Sequence, residues 1–391
     1  MPPCTPPLRL LTPGPTAVPE AVLREMALPV IHHRTRQFRD TFEELSQRLA
    51  RLYRTQGPVL TIAGSGTTAF EAAQISFRPV VDSRALTVAN GKFGERWQDV
   101  YEAYGIDQVR LNIPWGRAPT AEQVERALAD NPQTSVVTLV ASETSTATAC
   151  DLKAIAQVVR KSHALLIVDG ITAVGALPVE MDRWGIDVLV TGSQKALMLP
   201  PGLGFVGLGP RALKRLGAIE PVHCYSLDLR RWLKSWQNQD VPFTPPVSLI
   251  LAQRVALELI ENVGLDSVWG RTASLAAATR AAFVAMGLQL ISDAPSDSLT
   301  GAFYPDGIDD SAFRDALRDN HGIQIAGGQD GRGARWKGKV MRVSHMGHVS
   351  ADDTLAALDA IESELIAAGC PIVPGTASKV AGPMLDCAAE G

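Results

Sequence analysis

Short apolar runs alternate with amphipathic segments through the first half of the chain. Six runs predict buried strands because they are apolar throughout and end in glycine or polar turns: residues 59–63, 85–89, 136–140, 165–168, 188–190 and 204–207. Apolar residues at helical spacing lie between most of these runs. Strands without a polar face must be covered on both sides, which indicates a mostly parallel sheet between helices. The sequence therefore predicts an α/β fold with ligands at the carboxyl ends of the strands.

The length of 391 residues predicts more than one domain. Residues 1–16 are rich in proline and predict an extended arm before a large α/β domain over residues 17–245. Long alanine- and leucine-rich helices and a few strands predict a smaller α+β domain over residues 246–369. Residues 370–391 contain few large apolar side chains and are expected to form a flexible tail.

Composition and charge argue against several classes of function. The chain is 46% hydrophobic and 20% charged, as in a folded globule, and its net charge of −4 provides no basic face for nucleic acid. No apolar run reaches the ~18 residues that span a bilayer, and the N-terminus lacks the pattern of a signal peptide. The five cysteines are scattered and never spaced as CxxC, which argues against a disulfide framework and a metal site. We expect a cytoplasmic enzyme without a metal.

The run after the first strand, Gly64-Ser65-Gly66-Thr67-Thr68, leads directly into a helix. Free N–H groups at a helix N-terminus, together with glycines that permit close approach, can bind a phosphate. The same residues also suit an ordinary turn in which a hydroxyl caps the helix. The turn lacks the lysine of a P-loop and the spacing of a dinucleotide-binding motif, so both interpretations stay open.

Two later strands are each followed by a charged residue. Asp169 follows the strand at 165–168, and Lys195 comes shortly after the strand at 188–190. The carboxyl ends of these strands face the ligand crevice, where desolvation would lower the pKa of a lysine. A neutral lysine amine can form a Schiff base, and a carboxylate can hold a proton on a pyridine nitrogen. Either residue alone would suit a solvated loop; the pair indicates a site.

The stretch DGITAVGALPVEMDRWGIDVLVTGSQKALMLPPGLGF contains both residues and resembles the pyridoxal-phosphate (PLP) binding core of fold-type I, class V aminotransferases. The similarity runs from LTPGPTAVP to RVSHMGHV and is greatest to the alanine–glyoxylate and serine–glyoxylate branch. It implies a fold-type I transferase with a mostly parallel seven-stranded sheet and PLP as cofactor. It also implies transamination between alanine or serine and a 2-oxo acid, glyoxylate or pyruvate.

The resemblance assigns roles to individual residues. Residues that contact the cofactor would be Ser65, Gly66, Thr67 and Gln194 at the phosphate, Phe93 and Ile171 on the ring faces, Ser145 at the ring hydroxyl, Asp169 at the ring nitrogen and Lys195 in the Schiff base. Lys195 and Asp169 would be catalytic. Gly14 and Arg342 would bind the substrate, with Arg342 holding its α-carboxylate. Thr244 would come from a neighbouring subunit, which implies a homodimer whose active site the second subunit completes.

Other functions remain open on the same residues. The stretch YSLDLRRW at 225–232 also resembles 2-aminoethylphosphonate–pyruvate aminotransferases, although the IAGGQ and SHMG motifs favour the glyoxylate branch. A lyase of the cysteine desulfurase type would place a histidine before the lysine and a cysteine in a C-terminal loop. Here Gln194 precedes Lys195, and the loop at 330–339 has no cysteine. A non-catalytic PLP-fold protein would not need Lys195, Asp169, Gln194 and Arg342 together.

Overall fold

The computed structural model describes residues 8–80, 82–220 and 224–389. The helices are α1 Glu20–Met26, α2 Arg36–Tyr53, α3 Gly66–Ser76, α4 Lys92–Ala103, α5 Ala121–Asp130, α6 Leu152–Arg160, α7 Met181–Trp184, α8 Pro210–Ala218, α9 Leu229–Trp236, α10 Val247–Val263, α11 Leu265–Ala285, α12 Asp310–His321, α13 Ala351–Ala367 and α14 Thr376–Ala389. The strands are β1 Arg9–Leu10, β2 Val59–Gly64, β3 Arg84–Ala89, β4 Gln108–Asn112, β5 Thr134–Val140, β6 Ser142–Glu143, β7 Thr148–Ala149, β8 Leu165–Asp169, β9 Val188–Gly192, β10 Gly202–Leu208, β11 Leu299–Phe303, β12 Ile323–Gln324, β13 Ala326–Gly327 and β14 Val340–Ser344.

A seven-stranded sheet forms the centre of the larger part, in the order β2-β10-β9-β8-β5-β3-β4. Only β10 runs antiparallel to its neighbours, so the mostly parallel α/β sheet predicted from the sequence is confirmed. All six predicted strands are present. The seventh, β4, was missed because it lies at the sheet edge and carries polar side chains that are only partly buried.

Capping residues mark the N-termini of several helices. Three helices begin with a capping box. In this motif the side chain of the N-cap residue accepts the backbone N–H of the third helical residue, whose side chain in turn accepts the backbone N–H of the N-cap residue. The pairs are Ser65 with Thr68, Thr120 with Gln123 and Ser350 with Asp353. These caps fix where α3, α5 and α13 start. For α3 the start lies at the carboxyl end of β2, where the sequence predicted an anion-binding turn.

Two hydrophobic clusters divide the chain near the start of α11. The first contains the central sheet and extends through α10, whose Ile250 and Leu257 are buried there. Because α10 packs against α1 and α2, the domain boundary predicted after residue 245 lies one helix too early. The second cluster surrounds the antiparallel sheet β11-β14-β13. Leu11 belongs to it, and β1 pairs with β12, so the predicted N-terminal arm adds a strand to the smaller part.

The flexible tail predicted over residues 370–391 is wrong for its described part. Helix α14 packs along α11 and α13 and buries Ala377, Ala381 and Leu385 in the second cluster. Glu362 holds its start, because the carboxylate accepts the backbone N–H groups of Gly375 and Ala377. Small side chains allow close helix packing, so a segment poor in large apolar residues can still be well buried.

Within the described ranges, none of the helices has the length and apolar character needed to cross a membrane. The same ranges hold no group of three or more His, Cys, Asp or Glu residues placed to share a metal ion.

Candidate active site

A cavity of about 190 Å³ opens at the carboxyl ends of the parallel strands. Its walls are formed by Gly66, Thr67, Phe93, Arg96, Val140, Ser142, Thr144, Asp169, Ile171, Thr172, Gln194 and Lys195. Seven of the residues singled out from the sequence therefore meet in one place, although they come from four separate stretches of chain. Parallel strands end at the same edge of the sheet, which is why the loops after β2, β8 and β9 converge.

Asp169 is the last residue of β8 and is buried at the base of the cavity. Its Oδ1 accepts the backbone N–H of Ile171 at 2.9 Å, and its Oδ2 accepts the indole N–H of Trp97 at 2.8 Å. Burial raises the pKa of Asp169 to about 7, against the opposing effect of these two hydrogen bonds. A cationic group placed beside this carboxylate would restore its charge.

Lys195 lies in the turn after β9, on the opposite wall from α4. Its ammonium group donates to the carbonyl oxygen of Pro13. Burial, reinforced by the positive charge of Arg342, lowers the pKa of Lys195 to about 8. A substantial fraction of the amine is therefore neutral near physiological pH, as a nucleophilic lysine requires.

The N-terminal segment closes over this lysine. Thr16 donates its N–H to the carbonyl of Gln194 at 3.1 Å and its hydroxyl to the carbonyl of Lys195 at 2.7 Å. Gly14 lies against the lysine side chain with φ +113°, and a Cβ there would stand 2.2 Å from the Lys195 Nζ. The backbone angle favours glycine at this position, and a larger residue would also displace the end of the lysine side chain. The predicted substrate-binding Gly14 therefore borders the reactive amine.

The turn before α3 has features of both a helix cap and an anion-binding turn, the two interpretations of its sequence. The Ser65 hydroxyl accepts the N–H of Thr68 at 3.4 Å, so this residue caps the helix and does not line the cavity. Gly66 and Thr67 face the cavity, and a Cβ on Gly66 would come within 2.6 Å of Ile171 Cδ1. The side-chain oxygen of Gln194 is buried nearby without a hydrogen-bond partner among the described residues. A helix N-terminus and a spare amide thus border one end of the cavity.

Ser145 does not line the cavity, and its assignment to the ring hydroxyl stays a prediction. Its hydroxyl donates to the buried carboxylate of Glu143 at 2.6 Å and accepts the N–H of Lys92 at 2.9 Å. Glu143 also accepts the N–H groups at the start of α4 and so fixes that helix. Because the hydroxyl serves this buried network, Ser142 and Thr144 form the wall instead.

Arg342 lies on β14, buried behind Thr144. Its Nη1 donates to the carbonyl oxygen of Thr144 at 2.8 Å and its Nε to that of Gly327 at 2.9 Å. Burial lowers the pKa of Arg342 to about 10. The two carbonyls fix the guanidinium next to the cavity wall and leave other N–H groups for a ligand.

Thr244 is not brought to this cavity within one chain. It is exposed in the loop before α10 and borders a surface groove with Val30, Ile31 and Pro246.

The loop at 330–339 is fastened to α4 by one buried carboxylate, that of Glu95. Glu95 accepts the N–H of Arg332 at 2.6 Å, the N–H of Gly333 at 2.8 Å and the indole N–H of Trp115 at 2.9 Å. The Arg332 side chain adds a hydrogen bond to the Glu95 carbonyl. The loop is therefore positioned relative to the helix that carries Phe93.

Sequence reasoning missed one cavity residue on α4 and one residue that supports the cavity from behind. Arg96 lines the cavity, and Trp97 lies behind Asp169 with its ring stacked on Phe70 at 3.8 Å. Both lie three and four positions after Phe93, which is the spacing of side chains that share one helix face. Helical spacing from Phe93 could have pointed to both residues, but only once the orientation of α4 in the fold was known.

Comparisons with known proteins agree with this geometry. The model of the aminotransferase class-V family matches residues 10–356. The small subunit of a soluble hydrogenase from Synechococcus sp. is 38% identical over 385 residues, which cover 97% of this chain and 98% of that protein. A serine–glyoxylate aminotransferase of Methylorubrum extorquens is 31% identical over 382 residues, which cover 94% of this chain and 93% of that protein. The crystal structure of ureidoglycine–glyoxylate aminotransferase from Bacillus subtilis superposes with a TM-score of 0.90 at 28% identity, covering 99% of this chain and 100% of that one.

Proposed function

We propose, since the chain belongs to the aminotransferase class-V family, that it transfers the amino group of alanine or serine to glyoxylate. The family consists of PLP-dependent enzymes, so the cofactor and the reaction class predicted from the sequence, amino acid–oxo acid transamination, are confirmed. The observation that carries the proposed catalytic roles is the meeting of Lys195 and Asp169 in one cavity. Neither the donor nor the individual residue roles follow from family membership alone.

The described residues fit PLP. The N-terminus of α3 with Gly66 and Thr67 suits a phosphate, and Gln194 lines the cavity beside Gly66. Asp169 would hold a positive charge on the pyridine nitrogen, and Lys195 would hold the aldehyde carbon as a Schiff base. When bound, PLP accepts the electron pair released as a proton leaves the amino acid Cα.

Lys195 is proposed to move that proton. With PLP and the amino donor bound, the Nζ of Lys195 would take the Cα proton, and its lowered pKa leaves part of the amine neutral near neutral pH. The same nitrogen would then give the proton back and so act as the general acid. General base and acid catalysis of this kind contributes about 10²- to 10⁴-fold to a rate.

Arg342 is proposed to orient the donor. Its guanidinium is fixed by two backbone carbonyls, so its remaining N–H groups can grip an α-carboxylate without further ordering. The acceptor is proposed from the relatives, because the Methylorubrum and Bacillus enzymes are both named for glyoxylate. Pyruvate is the alternative acceptor. Residues 225–232, which suggested a phosphonate donor, contribute no side chain to the described cavity wall.

The active form is proposed to be a homodimer. Leu28 and Val30 are exposed by 54% and 68% near the groove that contains Thr244. A second copy covering these apolar side chains would place Thr244 against another subunit. Sedimentation of the PLP-loaded enzyme is expected to give twice the chain mass of 41.8 kDa, and a monomer with full activity would overturn this proposal. The cytoplasmic location stays a prediction.

The proposed roles are tested with Lys195→Ala and the exposed Lys379→Ala as control. Lys195→Ala is expected to lose the visible absorbance of the Schiff base and nearly all turnover, whereas the control keeps both. Adding alanine, serine or 2-aminoethylphosphonate singly to the wild-type enzyme is expected to bleach that absorbance with the first two. Full activity in Lys195→Ala would contradict the role of Lys195, and bleaching by the aminophosphonate alone would favour the alternative donor.

A further inference from the structure

Arg96 occupies a position in the cavity that none of the roles above uses. It lies one helical turn after Phe93 on α4, and its guanidinium carbon is 4.7 Å above the centre of the Phe93 ring. Its Nη1 donates to the Thr67 hydroxyl at 3.3 Å. Thr67 belongs to the first turn of α3, so Arg96 links the Phe93 ring to the turn at the start of that helix.

The charge of Arg96 has no carboxylate partner among the described residues within ion-pair distance. Arginines near it on the surface differ in this respect, because Arg332 pairs with Asp99 and Arg110 pairs with Glu102. An arginine that points into a partly enclosed cavity without a counter-ion is poised for an anionic ligand.

The charge also reaches the other groups of the cavity. Burial is the largest influence on the pKa of Asp169 and of Lys195, and the positive charge of Arg96 lowers the pKa of each. Arg96 therefore lies within electrostatic range of both residues that PLP is proposed to contact. A phosphate in the same cavity would be within range as well.

We propose that Arg96 binds the phosphate group of the cofactor. A PLP phosphate carries close to two negative charges, whereas the N-terminus of α3 supplies only about half a positive charge. The turn at Gly66 and Thr67 contains no lysine, and Arg96 supplies the missing cation from α4 through its contact with Thr67. This inference rests on the proposed placement of PLP in the cavity.

The experiment compares the binding of two cofactor forms to full-length protein. Arg96→Gln removes the charge, Arg96→Lys keeps it, and Arg110→Gln removes a surface charge as the matched control. Dissociation constants for PLP and for pyridoxal, which lacks the phosphate, are measured by absorbance titration after the cofactor has been removed. Arg96→Gln is expected to weaken PLP binding by about tenfold to a hundredfold, the range for one charge-assisted hydrogen bond, and to leave pyridoxal binding unchanged.

A second measurement uses inorganic phosphate, which binds without forming a Schiff base, and follows the thermal stability of the protein. Inorganic phosphate is expected to raise the Tm of the cofactor-free wild type, Arg96→Lys and Arg110→Gln, but not that of Arg96→Gln.

Three results would overturn the inference. One is a PLP dissociation constant in Arg96→Gln equal to that of the wild type. Another is an equal loss for PLP and pyridoxal, which would indicate a structural role. The third is unchanged PLP binding with a raised KM for aspartate but not for alanine, which would assign Arg96 to a second carboxylate of the donor. Failure of the wild type to bind PLP would instead contradict the proposed function.

Discussion

The hydrogen bond from Trp97 to Asp169 provides a quantitative prediction about the cofactor. The indole N–H lies 2.8 Å from Oδ2 and is one of two N–H groups that hold the buried carboxylate in its charged form. Trp97→Phe removes this donor and retains an aromatic ring against Phe70. A hydrogen bond to a charged group contributes about 1.5–3 kcal/mol, and about 1.4 kcal/mol corresponds to one pKa unit. The substitution should therefore raise the pKa of Asp169 by about one to two above its value of about 7.

The consequence is measured at the pyridine nitrogen. A higher pKa means that Asp169 holds a proton more tightly. The proton then stays on Asp169 and not on the pyridine nitrogen of PLP. The ¹⁵N resonance of ring-labelled PLP should move toward the unprotonated position in Trp97→Phe, and kcat should fall about tenfold or more. Trp236→Phe is the matched control, because the Trp236 indole N–H is buried without a partner among the described residues. A wild-type ¹⁵N position and kcat in Trp97→Phe would refute the reasoning.

Three further substitutions test the site. Glu95→Ala should release the loop at 330–339 and speed its backbone hydrogen exchange about thirtyfold, because the opening is made easier by about 2 kcal/mol; unchanged exchange would contradict the anchoring. Gly14→Ala should reduce the Schiff-base absorbance, because alanine is strained at φ +113° and its Cβ would displace the end of Lys195; an unchanged spectrum would contradict this role of Gly14. Arg342→Lys should raise the KM for the amino donor about tenfold without changing PLP affinity, and an unaltered KM would remove Arg342 from substrate binding.

Most of the fold could be predicted because the central strands are apolar throughout. Such strands stand out from the amphipathic helices around them, whereas the polar edge strand β4 does not. The domain boundary and the tail were less predictable. Whether α10 packs on α2 or on the smaller part depends on tertiary contacts, and the alanines of α14 reveal their burial only when α11 lies beside them.

The site could be predicted where it depends on strand ends. Asp169 and Lys195 follow strands that share one edge, so their meeting follows from the topology. Trp97 and Arg96 depend on the rotational phase of α4, which is fixed by the contact of Glu143 with its N-terminus. No local pattern shows that Glu143 and Ser145 form a buried network rather than part of the cavity wall.

The attachment point of the cofactor tests the central claim most directly. Borohydride reduces a Schiff base to a stable amine, so treatment of the yellow enzyme followed by proteolysis and mass spectrometry identifies the linked lysine. The account predicts that the phosphopyridoxyl group is found on Lys195 alone. A group on another lysine, such as Lys92 at the start of α4, or no covalent group on any lysine, would contradict it.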